Sequence, residues 1–424
     1  MSECQQITYD HIPNRQVACV DMMSFYASCM ASLHNLDVCK VPVAVVGNLQ
    51  QKGSVVLAAS PAMKKQFRIK TGNRLYEIPK HPEIRLFEPK MAYFLEMSMA
   101  ITRILHKYVP AESIHVYSVD ESFIDLTGTE KLWGDPAQTV REIQREIYDT
   151  LSLPSTAGMG PNMLMAKLAL DVEAKKTGFA KWTFADVPVK LWPVSPLSEM
   201  WGIGRRTEKS LNDMGIFSIG DLAHANLQSL EKKFGVMGNQ LYHHAWGIDL
   251  SRVGAPVSGG QVSYGKSQIL MRDYNTMAEV RVVMLEMCED VAKRARDARK
   301  AGRTISLGIG YSKNVHGGGF QRSRTIAEAT NETMKIYAVC KELLSENYDN
   351  RPVRQISLSI TKLEDEQSIQ LSLFEKDNWR SREIGQVMDS IRNRYGSTAI
   401  LRAISLTDAG TAIKRSDLVG GHKG

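Results

Sequence analysis

"YSVDESFIDLTG", residues 117–128, sets two acids, Asp120 and Glu121, between two apolar stretches. Neighbouring side chains of a regular strand point to opposite faces, so a strand alone does not aim adjacent acids at one point. A turn that opens at Asp120 breaks the alternation and lets both carboxylates converge. A third acid, Asp21, ends an earlier apolar run, "QVACVDMMS" (16–24), which reads as a short buried strand. Clustered carboxylates repel one another and do not all ionise without cations. Hard divalent ions with oxygen ligands relieve that repulsion, and two of them can clamp the attacking and leaving oxygens of a phosphoryl transfer. The plain alternative is an acidic hairpin tip, a common use of Asp in turns. The companions of the pair decide between the two.

The chain has 424 residues, enough for two to four domains, and a formal net charge of +7. Such a charge suits a polyanionic partner without demanding one. Its distribution says more: basic residues crowd into "AMKKQFRIK" (62–70), "AKRARDARKAGR" (292–303) and "FQRSRT" (320–325). No apolar run is long enough to span a bilayer, and the N-terminus lacks the apolar core of a secretion signal, so a cytoplasmic protein with no membrane partner is expected. Cys4, Cys19, Cys29, Cys39, Cys288 and Cys340 form no CxxC pair and no zinc-finger spacing, as expected of thiols in a reducing compartment.

Segments 41–47 and 54–60 read as paired strands, and 91–108 as a helix with Met91, Leu95, Met99 and Ile104–Leu105 on one side. A helix is expected near 136–150, and strand, Pro-Asn turn and helix over 154–176. A loop-like boundary at 183–195 precedes a compact helical module at 196–250. A Gly, Ser and Pro-rich linker follows at 251–261. Beyond it the pattern is βαββαβ. Thr276 and Glu279 form a capping box that opens the first helix, Gly302 is expected to end it, and the second helix is expected from Thr330.

With "VDMMSFYASC" and "YSVDESFIDLTG" in place, the chain resembles a Y-family translesion DNA polymerase of the UmuC-like kind. The likeness continues through "MGPNMLMAKLALDVEAKK", "MWGIGRRTEKSLNDMGI" and "ISLSITKL…QLSLF", covering about residues 15–375 in order. The resemblance implies an α+β right-hand polymerase. Its ferredoxin-like palm would take 1–24 and 92–183, small fingers 25–91, and a helical thumb with a helix–hairpin–helix 184–250. After a linker at 251–258, a βαββαβ little finger would take 259–365 and a C-terminal tail with a clamp-binding peptide 366–424. It implies template-directed addition of dNTPs to a primer 3′-hydroxyl, an SOS-type role in damage bypass, and two Mg²⁺ ions, with Mn²⁺ as a substitute. Asp21, Asp120, Glu121 and the backbone carbonyl of Met22 would be the metal ligands.

By the same resemblance Tyr26, beside Phe25, is a steric gate that rejects a 2′-hydroxyl by clash. Lys65 and Lys175 would contact the triphosphate. Here the sequence departs from the family pattern: Ala62 and Lys65 stand where many relatives have Tyr and Arg, and Lys64 is an alternative. Gly202 and Gly204 of "GIGRRTEKSLNDMGI" would let DNA backbone approach, with Arg205 and Arg206 assisting and Leu211 and Ile216 packing inside. In the little finger, Ile305, Leu307, Ile309, Ile356 and Leu358 would cover the helices. Ser306, Gly308, Gly310, Ser357 and Ser359 would face DNA, and Arg322 and Arg324, two apart, would share a face and bind phosphate. "QLSLF" (370–374) resembles a sliding-clamp peptide, with Gln370, Leu371, Leu373 and Phe374 as its contacts. A monomer bound to primer–template DNA, dNTP and clamp is the expected working form. The tail carries one expected helix, "REIGQVMDSIRNRYG", then a partly ordered and flexible end. Two other classes share parts of this pattern: a non-catalytic DNA-binding accessory protein, and a nucleotidyl cyclase, which would need neither thumb motif nor DNA platform.

Overall fold

The computed structural model describes residues 7–255, 261–313, 317–366 and 378–423. The chain forms two units, Met1–Pro256 with His422–Gly424, and Val257–Gly421.

The first unit begins with β1 (Val17–Met22) and α1 (Phe25–Leu33). A small sheet of β2 (Val43–Val46), β3 (Val56–Ala59) and β4 (Arg85–Phe87) follows, with α2 (Pro61–Phe67) between its second and third strands. Ser60 caps α2, its side chain accepting from Met63 N, and Pro61 starts the first turn. Next come α3 (Met91–Tyr108), β5 (Ile114–Val116), β6 (Glu121–Asp125), α4 (Pro136–Leu151), β7 (Ser155–Gly160), α5 (Met163–Ala169) and β8 (Phe179–Lys181). They build a five-stranded sheet of order β5-β6-β1-β7-β8. The run "VACV" of β1 is apolar throughout because both sheet faces are covered. Val17 and Cys19 join one core with Phe123, and Ala18, Val20 and Met22 join another with Phe25 and Phe94.

Helix α3 spans the expected residues and buries Met91, Ile104 and Leu105 of the expected side, but not the two between them. Met91, Phe94, Met97, Ile101, Ile104 and Leu105 are inside, whereas Leu95 and Met99 are 41% and 55% exposed. The inward stripe starts on a three-residue spacing, and the expected set had followed fours. The helical module comprises α6 (Arg205–Asn212), α7 (Ile219–Ala223), α8 (Leu227–Phe234) and α9 (Val236–Ala245), and both Leu211 and Ile216 are buried in it.

The second unit runs β9 (Ser263–Tyr274), α10 (Met277–Asp297), β10 (Lys300–Tyr311), β11 (Gly319–Thr330), α11 (Thr333–Asn347) and β12 (Val353–Asp365). This is βαββαβ, with antiparallel strand order β11-β10-β12-β9. The capping box at Thr276 and Glu279 is present. Gly302 does not end α10. The helix stops at Asp297, Arg299 takes the left-handed conformation at φ 53, and Gly302 lies within β10 at an irregularity of the ladder. Helix α11 begins at Thr333 because β11 continues through Thr330.

The tail is more ordered than its sequence suggested. Helix α12 (Asn378–Tyr395) packs on α10 through a buried ion pair, Asp389 with Arg296 at 2.7 Å. Glu289 of α10 accepts from both Arg392 and Arg402, and Glu286 accepts from the Thr411 hydroxyl at 2.7 Å. The expected helix is present, but the ion pairs that dock it on α10 left no mark in the hydrophobic periodicity. Gln370, Leu371, Leu373 and Phe374 lie outside the described residues.

Candidate active site

Strand β1 pairs antiparallel with β6, and Asp21 stands directly opposite Glu121. Directly paired residues of such strands share a face, so the two side chains emerge together. Asp120 precedes β6 in the bend that follows β5, where the Tyr117 and Ser118 amides both donate to the Glu121 carbonyl. The Met22 amide donates to the Asp120 carbonyl at 2.9 Å, and the Ser118 hydroxyl donates to the Asp120 carboxylate at 2.6 Å. The bend thus releases Asp120 from strand alternation. Asp21 feels the result: burial, then the charges of Asp120 and Glu121, push its carboxyl up to about 7, against the opposing pull of Lys175 and Lys167.

Glu121 is not idle. Its Oε1 receives the Lys167 ammonium at 2.7 Å and the Cys19 thiol at 3.0 Å. Burial opposes the charge on Lys167, but the hydrogen bond to Glu121 and the charge of Asp171 more than offset it, so its pKa is raised. The Cys19 thiol is pushed far up by burial and by Glu121. Among the described residues no group of three or more His, Cys, Asp or Glu side chains is gathered closely enough to hold an ion. The donor chemistry still suits a hard divalent cation: Asp21 is buried and faces two other acids, so it resists ionisation, and positive charge would relieve that.

Tyr26 sits one turn into this surroundings on α1. Its ring stacks on Phe94 with centroids 4.5 Å apart and planes at 14°, and Phe25 is buried beside it. Burial raises the Tyr26 pKa, and the charge of Asp120 adds to it, so the phenol and the acid are neighbours. Ser24, at the start of α1, is left-handed at φ 52.

The two lysines of α2 differ. Lys64 donates to the Ser24 hydroxyl at 2.8 Å. Its stem is exposed, but its ammonium is partly withdrawn from water. Burial lowers its pKa, Asp21 raises it and Lys175 lowers it, so Lys64, Lys175 and Asp21 lie within one another's field. Lys65 is exposed on the same helix, with no such tie to the acids. Lys64 and Lys175 therefore both lie in the field of Asp21.

Gly202 adopts φ 92, which only glycine takes without strain, and Gly204 caps α6 with open space where a Cβ would stand. Arg205 and Arg206 are exposed at that helix start. Trp201, just before, meets Tyr117 edge-on at 5.9 Å, which fixes this hairpin against the acidic bend. In the second unit, register sorts the sheet faces. Ser306 pairs with Ser323 and Ser359, and Ser357 pairs with Ser267 and Gly308, forming a face of small side chains. Arg322 and Arg324 do share a face, but it is the other one: they pair with Leu307 and Ile305 of the helix-side core. Arg324 is engaged by Glu342 and, at 2.8 Å, by Glu346 of α11, while Arg322 is exposed at the sheet edge.

Lys167, Asp171, Ser24 and Trp201 were not singled out in the sequence. The i,i+4 series Lys167, Asp171, Lys175 is a legible signal for two of them.

Acids at the ends of two inner strands of a mixed sheet, flanked by lysines and followed by a helical hairpin and a βαββαβ unit, define a polymerase of right-hand architecture. Known proteins agree. Residues 20–171 match the impB/mucB/samB family, 261–373 its C-terminal domain, and 198–249 the thumb domain described for DNA polymerase iota. The chain is 54% identical to the UvrX protein of Bacillus subtilis (strain 168), over 98% of this chain and 100% of that protein. It is 38% identical to DNA polymerase IV 2 of the same organism, over 95% and 97%. A Y-family DNA polymerase chimera of Dbh and Dpo4 shares the fold with a TM-score of 0.63 at 21% identity, covering 82% of this chain and 98% of that one. The chain belongs to the Y family of DNA polymerases, a family of DNA-directed DNA polymerases associated with DNA repair and translesion synthesis.

Proposed function

We propose that this chain extends a primer 3′-hydroxyl with dNTPs on a damaged template, through attack on the α-phosphate with pyrophosphate leaving. The observation that supports the reading is the pairing of Asp21 with Glu121 across β1 and β6 beside Asp120; burial first, then the charges of the two other acids, push Asp21 up to about 7. Asp21, Asp120, Glu121 and the Met22 carbonyl would hold two Mg²⁺ ions, or Mn²⁺ in their place. Bound there, such ions supply charge neutralisation and alignment of phosphate oxygens.

The chain's own residues do the rest. Tyr26, braced by Phe94, blocks a 2′-hydroxyl under the incoming sugar. Lys64 and Lys175 hold the triphosphate as point charges, Lys64 being the better candidate than Lys65 for the fingers contact. Gly202, Gly204, Arg205 and Arg206 grip DNA backbone without reading sequence. In the second unit the small-residue sheet face takes the duplex; Arg322, on the opposite face of the edge strand, meets phosphate only by reaching around that edge, and Arg324 contributes only by exchanging its glutamates for phosphate. The reading assigns palm to 1–24 and 92–183, fingers to 25–91, thumb to 184–250, linker to 251–258 and little finger to 259–365, in a monomer that meets the sliding clamp through 370–374.

Primer extension with Mg²⁺ tests this, comparing the native chain with Asp120→Ala plus Glu121→Ala. The native chain extends, and the variant falls by at least ~100-fold while both bind primer–template. Equal extension by both ends the proposal. Binding without extension by either moves the chain to the accessory class.

A further inference from the structure

The segment after α5 contains a feature that the proposed chemistry has not used. Leu170–Ala174 form a π-turn, wider than an α-turn, directly between Lys167 and Lys175. Such turns recur at functional sites, because one extra residue re-aims the side chains that follow. Asp171 lies in the turn, four residues from each lysine. Its Oδ1 is 2.6 Å from the Lys175 ammonium and 3.4 Å from that of Lys167. Lys167 in turn is 2.7 Å from Glu121, with its side chain 8% exposed. Opposite charges therefore alternate without a break from a carboxylate of the reacting centre to a lysine in the field of Asp21: Glu121, Lys167, Asp171, Lys175.

The anchored end of this chain is Lys167, buried and held by Glu121. The free end is Lys175, whose side chain is 50% exposed. A lysine so exposed samples many rotamers unless something restrains it. Asp171 is the restraint the structure supplies.

We propose that Asp171 is a positioning residue, which holds Lys175 over the reacting centre for the triphosphate of an incoming nucleotide. The proposal rests on the reading of Lys175 as a triphosphate contact. It opposes the simplest electrostatic expectation. An acid beside an anion site weakens anion binding, so neutralising Asp171 by charge alone would tighten nucleotide binding. Loss of positioning weakens it instead.

The experiment measures dNTP affinity in Mg²⁺ on a primer–template ended with a dideoxynucleotide, so that no chemistry follows. Four chains are compared: native, Asp171→Asn, Lys175→Met and the double variant. Asp171→Asn keeps the shape of the side chain, and an unchanged Tm verifies the fold. Expected are ~5-fold weaker binding for Asp171→Asn, similar or greater loss for Lys175→Met, and no further loss in the double variant. Unchanged or tighter binding by Asp171→Asn overturns the proposal, as does full additivity in the double variant. If Lys175→Met itself binds like the native chain, the triphosphate reading of Lys175 fails, which is a separate outcome.

Discussion

The two large sheets of this molecule are built to opposite plans. The sheet around β1 is covered on both faces, by a core containing Cys19 and Phe123 on one side and one containing Val20 and Phe25 on the other. The sheet around β10 is covered on one face only. Ile305, Leu307, Ile309, Ile356 and Leu358 pack on α10 and α11, while the opposite face carries serines and glycines. The difference teaches where each sheet can meet a ligand. A doubly covered sheet offers only its strand ends, and there Asp21 and Glu121 emerge. A singly covered sheet offers a broad surface, suited to a long polymer and not to chemistry at a point.

The largest contrast is expected from added volume. Gly158 of β7 lies opposite Cys19, and a Cβ there would sit 2.2 Å from the Ala166 carbonyl oxygen and the Leu170 amide nitrogen. Backbone cannot yield as a side chain can, so Gly158→Ala is expected to destabilise the first unit by about 3 kcal/mol or more. Ser306→Ala, on the open face of the other sheet, is expected to stay within about 0.5 kcal/mol. Chemical denaturation of both variants checks the pair, and equal effects would break the distinction between the sheets.

A smaller effect sharpens the account of the strand end. Asp21 is held near 7 when folded, against 3.8 as its ordinary value. The folded protein therefore binds the extra proton between those two pH values, and stability from this group is lost as pH rises through about 7. Asp21→Asn removes that cost. It is expected to stabilise the metal-free protein by about 1–3 kcal/mol at pH 8, with the gain shrinking as pH falls toward 4. Denaturation at several pH values measures it, and a gain that is flat with pH would contradict the crowding of acids.

The smallest effect on stability should accompany a clear effect on DNA. Ser306→Glu with Ser359→Glu places two negative charges on the open face. Tm is expected to change little, while affinity for primer–template falls ~10-fold at low salt and less at high salt. Unchanged affinity would mean that the duplex lies elsewhere.

Much of this was legible in the sequence, and the reasons are specific. The apolar run before Asp21 and the alternation of β10 and β12 are strong local patterns, so strands, sheet faces and the βαββαβ order could be read directly. The middle of the α3 face (Leu95 and Met99) and the end of α10 were misread, because helical spacing allows neighbouring stripes and Arg299 took the left-handed position usually given to glycine. The helix-side placement of Arg322 and Arg324 depends on cross-strand register with β10, which a single strand does not encode. The docking of α12 through Glu289, Arg296 and Asp389 left no hydrophobic signature. At the site, the acids were legible as a motif, but the grip of Lys167 on Glu121 needed the fold to bring residues 121 and 167 together.

At the centre stands the proposal that Asp21, Asp120 and Glu121 hold two divalent ions beside an incoming nucleotide. Titrating Mn²⁺ by electron paramagnetic resonance tests it, using the full chain with a dideoxy-ended primer–template and the next correct dNTP. The account expects two Mn²⁺ bound per ternary complex in the native chain, and a loss of at least one in Asp120→Ala plus Glu121→Ala. The same count in both proteins, or none in the native complex, would contradict it.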